Sequence, residues 1–360
     1  MRFVHTADIH LGITPDRGMP WSESRADEIY ESFYQLLDYV EQESVDLLLI
    51  AGDLFHRQPL KRELKELNYR LESLSRAKVV IMAGNHDYIR PQSYYRDFAW
   101  TSNVSFFRKQ SLEYVYLSEL NTMVYGLSYE EQEITDHLYD RAMPVQRFSD
   151  GKPVPENCRH ILLAHGGDEK HIPIDRNALK QAGFDYIALG HIHKPGILVE
   201  DLMAYSGSLE PTDKNDIGVR GFIDGTITDD GVHFEFVPHS VRSYIELNMK
   251  VDSALTNQEL LDRLEATILK RGNKNIFKIV LTGFRDADME YNTDDIRKLG
   301  NVVSVDDRTV PDFDFQRIYE DNKDNIIGQF ILKVSNMNVD DDTKGKALCY
   351  GLKSLYGIRR

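Results

Sequence analysis

Short apolar runs that alternate with amphipathic helical patterns most constrain the fold of this chain. The runs at residues 47–50 and 79–82 read LLLI and VVIM, without a polar residue inside either run. Strands buried on both faces of a helix-covered sheet show this pattern, whereas half-exposed strands alternate apolar and polar residues. Residues 26–43, between the first two strands, repeat apolar side chains at helical spacing. The pattern predicts a layered α/β domain with strands at residues 3–6, 46–51, 78–83, 160–164 and 185–189.

The second half of the chain has a different pattern, with shorter apolar pieces separated by Asp-Gly turns. Strand-like pieces at residues 203–206, 220–223 and 232–237 are expected to complete a second sheet of the first domain. A β-α-β-α-β order begins at residue 244, and two helical patterns follow it. We therefore predict a first domain over residues 1–240, a small α/β capping domain over 241–320 and C-terminal helices over 321–360.

Side chains that bind metal ions follow almost every predicted strand of the first domain. In sheets of this class, ligands bind beyond the carboxyl ends of the strands. Residues i and i+2 of an extended segment point to the same side, so a pair with this spacing can chelate one ion. A single motif of this kind is more often structural, but five at successive strand ends favour a metal site. The predicted metal ligands are Asp8, His10, Asp53, Asn85, His165, His191 and His193.

The number and chemistry of these seven donors predict two metal ions. If Asp53 bridges, each ion receives four protein ligands, and positions remain for water and substrate. Carboxylate, amide and imidazole without thiolate suit Mn²⁺, Fe²⁺ or Zn²⁺ and argue against an iron–sulfur cluster. Only two of the seven donors are anionic, so two divalent ions leave a local charge of about +2. That charge would attract a phosphodiester although the whole chain carries a net charge of −15.

Together these motifs resemble the signature of calcineurin-like metallophosphoesterases. The segments TADIHLG (6–12), GDLFH (52–56), GHIHKP (190–195) and YSGS (205–208) resemble more closely the SbcD-type DNA-repair exonucleases, including the bacterial YhaO branch. The match covers about residues 1–225. It implies a layered α/β fold in which a calcineurin-like β-sandwich is flanked by helices and joined to a small α/β capping domain.

The resemblance also implies roles for individual residues. One ion would be held by Asp8, His10, Asp53 and His193, and the other by Asp53, Asn85, His165 and His191. His86, paired with Asp87, would contact the phosphate and act as general acid or transition-state stabiliser, while His56 would help to hold the scissile phosphate. One departure from the family pattern is the acidic pair Asp168 and Glu169 beside the site, which is expected to weaken DNA binding there.

The function implied by the resemblance is a DNA exonuclease that also cuts single strands as an endonuclease, in double-strand-break repair. Its cofactors would be two divalent metal ions, with Mn²⁺ expected and Fe²⁺ or Zn²⁺ as alternatives. Its partners would be DNA, an SbcC-like SMC-type ATPase and a second copy of the chain. Two cysteines and the lack of any apolar run of about 20 residues predict a cytoplasmic protein without a membrane span.

Two other classes of function stay open. A phosphatase or phosphodiesterase for small-molecule or phosphoprotein substrates would share the metal site. However, the protein phosphatases of this superfamily carry Arg and Glu where this chain has His56 and Asp87. A scaffold that docks the ATPase through the apolar stripes at residues 326–337 and 348–355 is the other class, but a degenerate metal site would then be expected.

Overall fold

Two six-stranded sheets make up the frame of the first of two units, Met1–Tyr244. The structure is a computed structural model and describes residues 1–355. In chain order the strands of this unit are β1 (Arg2–Thr6), β2 (Leu47–Ala51), β3 (Lys78–Met82), β4 (Val104–Phe106), β5 (Glu113–Leu117), β6 (Thr122–Gly126), β7 (Arg159–His165), β8 (Tyr186–Gly190), β9 (Gly196–Val199), β10 (Met203–Tyr205), β11 (Gly221–Thr228) and β12 (Gly231–Pro238). The order is β12-β11-β1-β2-β3-β4 in one sheet and β5-β6-β7-β8-β10-β9 in the other. The predicted layered α/β class is confirmed.

The centre of each sheet is parallel, as the uninterrupted apolar runs predict. In the first sheet β1, β2, β3 and β4 run parallel, and in the second β6, β7, β8 and β10 do so. The carboxyl ends of each parallel set therefore lie at one edge of its sheet. The residues predicted to bind metal lie at or just beyond the ends of β1, β2, β3, β7 and β8.

Strand β2 shows why its apolar run is uninterrupted. Leu48 and Ile50 pack into a core with the helices α1 (Ser22–Gln42) and α2 (Lys61–Glu72). Leu47, Leu49 and Ala51 point the other way, into a core shared with residues of the second sheet. Leu179 of the short helix α3 (Arg176–Lys180) lies in a third core, with residues of the second sheet. The unit is thus layered: the helices α1 and α2 cover the first sheet, the two sheets face each other, and α3 packs with the second sheet.

One predicted sheet assignment is wrong. Three strands, β10, β11 and β12, were expected to complete the second sheet. Only β10 does so, whereas β11 and β12 extend the first sheet. β11 pairs antiparallel with β1, with Phe3 opposite Gly225. The Phe3 ring occupies the space that a Cβ at residue 225 would need, so a glycine permits this close approach. Because the paired residues of β1 and β11 are more than 200 positions apart, the local hydrophobic pattern of the sequence gives no sign of their pairing.

The second unit begins at Ile245, one residue after the first residue of its leading strand. Its elements are β13 (Tyr244–Val251), α4 (Asn257–Arg271), β14 (Ile276–Asp286), α5 (Thr293–Arg297), β15 (Val302–Asp307), β16 (Val310–Asp312), α6 (Phe315–Asp321), α7 (Ile326–Ser335) and α8 (Asp341–Leu355). The predicted β-α-β-α-β order is present, and β16 and α6 are additional. Separate domains over residues 241–320 and 321–360 stay a prediction, and residues 356–360 lie outside the described part of the chain.

The three last helices form a small core of their own. Ile331 and Val334 of α7 pack with Leu348 and Leu352 of α8, and Ile318 of α6 contacts this cluster. The predicted apolar stripes of these helices are therefore at least partly buried against one another. Between residues 1 and 355, no helix combines the length and the apolar character that a membrane span requires.

Candidate metal centre

The predicted ligands come together where the parallel strands end. Asp8 and His10 follow β1, Asp53 follows β2, and Asn85 follows β3. From the second sheet, His165 is the last residue of β7, and His191 and His193 follow β8. Five of the seven side chains are buried, namely Asp8, His10, Asp53, Asn85 and His165. The structure thus places all seven predicted side chains in one cluster between the ends of the two sheets.

One half of this cluster surrounds His10. Its Nε2 atom lies 3.0 Å from Nε2 of His193 and 3.9 Å from Oδ2 of Asp53. The ligand atoms of Asp8, His10 and His193 all lie within 4.8 Å of one another. These are the side chains that the resemblance assigns to the first ion.

The other half surrounds the side-chain oxygen of Asn85. Nε2 of His165 lies 3.0 Å from Oδ1 of Asn85, and Nδ1 of His191 lies 3.1 Å from the same oxygen. Nε2 of His165 is also 3.5 Å from Oδ2 of Asp53. The Asp53 carboxylate thus lies within reach of both halves, where a bridging ligand would have to be.

Four of the seven predicted ligands have a left-handed backbone. The φ angles are 50° at Asp8, 53° at His10, 50° at Asp53 and 93° at His191. Residues other than glycine rarely adopt such angles, which cost about 1–3 kcal/mol each and concentrate at functional sites. All four residues lie at the rim of the unit where the parallel strands end. The repeated backbone strain indicates that the placement of side chains at this rim outweighs the conformational preference of the backbone.

Close approach of the backbone is a second feature of this rim. Gly84 precedes Asn85, and a Cβ at residue 84 would collide with Asp53 and His165. At Gly190, directly before His191, a Cβ would collide with the Ala51 carbonyl and with His165. The glycines in the motifs at residues 84–87 and 190–193 therefore make room for predicted ligands on neighbouring loops.

Burial and neighbouring charges shift the pKa values at this centre in opposite directions. Burial raises the pKa of Asp8 to about 6. Asp53 is equally buried, but the facing His165 and His10 imidazoles hold its pKa well below the usual range. Burial lowers the pKa of His165, yet the Asp53 carboxylate outweighs burial and raises the value to about 9. Because a metal ion binds only deprotonated imidazole, metal binding here must release protons.

Two of the predicted histidine ligands, His165 and His193, are oriented through their second ring nitrogen. Nδ1 of His165 lies 2.7 Å from the Ala51 carbonyl oxygen, and Nδ1 of His193 lies 3.1 Å from Oδ2 of Asp216. Asp216 is fixed in turn by the backbone N–H and hydroxyl of Thr212, each 2.8 Å away. Such outer partners set which nitrogen faces the metal. Asp216 is not among the residues that the sequence predicts for the site, because nothing in a separation of 23 residues links it to His193.

His56 and His86 lie beside the predicted ligands. Their rings stack with centroids 4.9 Å apart, and the His86 ring also packs edge-on against His10 at 4.8 Å. The His86 backbone N–H donates to Oδ1 of Asp53 at 2.8 Å, and Nδ1 of His86 lies 3.3 Å from the His56 carbonyl oxygen. Both side chains are only partly buried. They are therefore placed to meet a substrate next to the metal cluster.

The position of Asp87 differs from the pairing with His86 that the resemblance implies. Its buried carboxylate accepts hydrogen bonds from the Gly84 and Phe55 backbone N–H groups and from the Tyr95 hydroxyl, at 2.8, 3.2 and 2.9 Å. The His86 imidazole meets the His56 carbonyl instead. These contacts give Asp87 the geometry of a group that holds the two loops carrying Asp53 and Asn85 together. A catalytic part for Asp87 stays a prediction.

Replacing Tyr95 with phenylalanine tests this view of Asp87. Loss of a hydrogen bond to a buried carboxylate is expected to lower the free energy of unfolding by about 1–3 kcal/mol. Tyr94→Phe, at an exposed neighbouring tyrosine, is the matched control. Urea unfolding of the three metal-free proteins measures the effect, and equal midpoints for both variants would contradict it.

The donor set fits divalent cations of the Mn²⁺, Fe²⁺ or Zn²⁺ type. It consists of oxygen and nitrogen atoms, and two buried carboxylates supply negative charge. Facing imidazole nitrogens, such as those of His10 and His193, repel each other unless a proton or a cation lies between them. The residues therefore fit a metal centre, while the assignment of seven ligands to two ions stays a prediction.

Fold and site together are those of a phosphoesterase, and the chain belongs to the calcineurin-like phosphoesterase family, whose model matches residues 1–195. All the predicted site residues fall inside that range. The protein is therefore a metallophosphoesterase, a metal-dependent hydrolase of phosphate esters. The resemblance to this family seen in the sequence is confirmed.

The chain is also similar to individual proteins of known sequence or structure. The chain is 25% identical over 307 residues to the uncharacterized metallophosphoesterase YhaO of Bacillus subtilis, which covers 79% of this chain and 72% of that protein. It is 26% identical over 350 residues to the DNA double-strand break repair protein Mre11 of Archaeoglobus fulgidus, covering 89% of this chain and 75% of that protein. Among solved structures, a dimetal phosphatase from Danio rerio matches with a TM-score of 0.40 and 14% identity, over 67% of this chain and 99% of that one.

Proposed function

We propose that this protein is a Mn²⁺-dependent DNA phosphodiesterase, an exonuclease with endonuclease activity on single strands. The observation that carries the proposal is the His56–His86 pair beside the metal cluster. Burial and the neighbouring His86 lower the pKa of His56, which favours the uncharged form of this side chain. A phosphodiester carries one negative charge and a monoester two, so an uncharged side chain beside the metal centre suits the diester better than the monoester.

The relatives support a DNA substrate. Mre11 of Archaeoglobus fulgidus is named for DNA double-strand break repair, and its alignment extends through most of both units of this chain. A similarity that continues past the catalytic unit favours a shared substrate class over a shared hydrolytic centre alone. Resemblance to the SbcD-type nucleases also supports an SMC-type ATPase partner, a homodimer and a cytoplasmic location.

The contacts at the metal centre support the roles that the resemblance implies for the chain's own residues. Asp8, His10, Asp53 and His193 would hold one ion, and Asp53, Asn85, His165 and His191 the other. Two divalent ions supply stabilisation of the charge on the attacking and leaving oxygens at phosphorus. With Nδ1 of His86 donating to the His56 carbonyl, only the doubly protonated imidazolium form of His86 also carries a proton on Nε2, and this is the proton that it would give to the leaving oxygen.

A comparison of two chromogenic substrates tests the proposal. With Mn²⁺ present, bis-p-nitrophenyl phosphate should be hydrolysed with a higher kcat/KM than p-nitrophenyl phosphate, and an end-labelled duplex should be shortened. EDTA-treated protein without added metal is the control. Preference for the monoester, with the duplex left intact, would favour the alternative, a phosphatase for small or protein substrates.

A further inference from the structure

His191 is held at both of its ring nitrogens. Nδ1 faces the metal cluster, 3.1 Å from Oδ1 of Asn85. Nε2 faces away from it, 2.7 Å from Oδ2 of Asp168. The Asp168 side chain was expected only to add negative charge beside the site, so this contact gives it a different place in the molecule.

Asp168 is itself fixed by its own loop. Its Oδ1 atom accepts hydrogen bonds from the backbone N–H groups of Lys170 and His171, at 2.8 and 3.0 Å. Nδ1 of His171 lies 2.9 Å from the same oxygen and 3.0 Å from Oδ2. The loop follows β7 and Gly166, so it leaves the sheet directly after His165. Oδ2 accepts no backbone hydrogen bond in this loop, and it is the oxygen that lies nearest to Nε2 of His191.

The proton between Asp168 and His191 decides which nitrogen is available to a cation. A carboxylate accepts hydrogen bonds and donates none, so Nε2 of His191 must carry the proton. In the neutral ring, Nδ1 then has the lone pair, and it points at the oxygen of Asn85. Asp168, His171 and His191 could also be taken for a third cation site. An ion could bind there only if Nε2 lost its proton and the hydrogen bond to Asp168 were broken.

We propose that Asp168 is a positioning residue, which holds His191 in the Nε2–H form and so presents Nδ1 to the ion bound by Asn85, His165 and Asp53. The inference rests on the proposed metal centre. Outer carboxylates of this kind typically change metal affinity by about 10- to 100-fold. The same orienting effect, through tautomer choice, is known to govern catalytic imidazoles held by a buried carboxylate.

Three variants separate positioning from simpler explanations. Asp168→Asn has nearly the same shape and can keep the turn, with its one oxygen on the backbone N–H groups of Lys170 and His171. Its amide NH₂ then faces Nε2 of His191 and donates to it, which moves the ring proton to Nδ1. Asp168→Ala removes the partner altogether. Glu169→Gln removes one negative charge at the exposed neighbouring residue and is the charge-matched control.

Mn²⁺ titration calorimetry of the full chain is the first measurement. Both Asp168 variants should bind one of two ions about 10- to 100-fold more weakly, while Glu169→Gln stays within about threefold of the unmodified protein. A purely structural turn would leave Asp168→Asn unchanged, and a pure charge effect would make Asp168→Asn and Glu169→Gln equal. Either result overturns the proposal, as does a third bound ion that Asp168→Ala alone loses.

Long-range ¹H–¹⁵N spectra of the metal-free, histidine-labelled protein give a readout without metal or substrate. His191 should carry its proton on Nε2 in the unmodified chain and on Nδ1 in Asp168→Asn. An unchanged tautomer in the variant overturns the positioning of His191. If the tautomer and Mn²⁺ results hold while DNA stays uncut, the proposed function fails and the role of Asp168 stands.

Discussion

Asp53→Asn is expected to lower kcat/KM for the hydrolysis of phosphodiesters by about 10³-fold. Asp53 is buried, and its carboxylate lies 3.5 Å from Nε2 of His165 and 3.9 Å from Nε2 of His10. The amide has nearly the same size but no charge, so it is a poor bridge between two cations. Charge stabilisation by such ions is worth several kcal/mol, and each 1.36 kcal/mol corresponds to a factor of ten in rate.

The control for this variant is Asp46→Asn. Asp46 is also buried and forms an ion pair with Arg76. It directly precedes β2, so it lies at the amino end of this strand, opposite to the end that carries Asp53. Its loss should affect stability and leave kcat within about twofold, as expected for a surface-proximal ion pair. Bound Mn²⁺ per chain and kcat/KM for bis-p-nitrophenyl phosphate are measured for both. An Asp53→Asn protein with two tightly bound ions and activity within tenfold of the unmodified chain contradicts a bridging Asp53.

The placement of Asp53 and its neighbours could be predicted because it depends on local information. An apolar run predicts the strand, and the residues that follow a parallel strand must lie at its carboxyl edge. β2 ends at Ala51 as predicted, and Asp53, two residues further along the chain, therefore lies at that edge of the sheet. The same logic placed Asn85 after β3 and His191 after β8.

What the sequence did not predict depends on contacts between distant segments. Asp216 and Asp168 orient His193 and His191 from other loops, and no periodicity connects these pairs. The assignment of β11 to the wrong sheet has the same cause, because its partner β1 lies at the opposite end of the unit. The hydrogen bonds of Asp87 to Phe55 and Tyr95 likewise involve loops that the sequence pattern treats separately.

His86→Ala should separate proton transfer from metal binding. The backbone N–H of residue 86 donates to Oδ1 of Asp53, and alanine keeps that bond. Both ions should therefore bind as in the unmodified protein, while DNA cleavage falls by about 10²- to 10⁴-fold, the usual contribution of a general acid. His137→Ala, at an exposed histidine paired with Asp140 elsewhere on the surface, is the control.

The leaving group distinguishes a general acid from a group that only contacts the phosphate. p-Nitrophenolate leaves without a proton, whereas the alkoxide of a deoxyribose needs one. If His86 supplies that proton, His86→Ala should slow DNA cleavage far more than hydrolysis of bis-p-nitrophenyl phosphate, measured as kcat for each. Equal losses on the two substrates would mean that His86 stabilises charge on the phosphate and that the leaving oxygen takes its proton from another source.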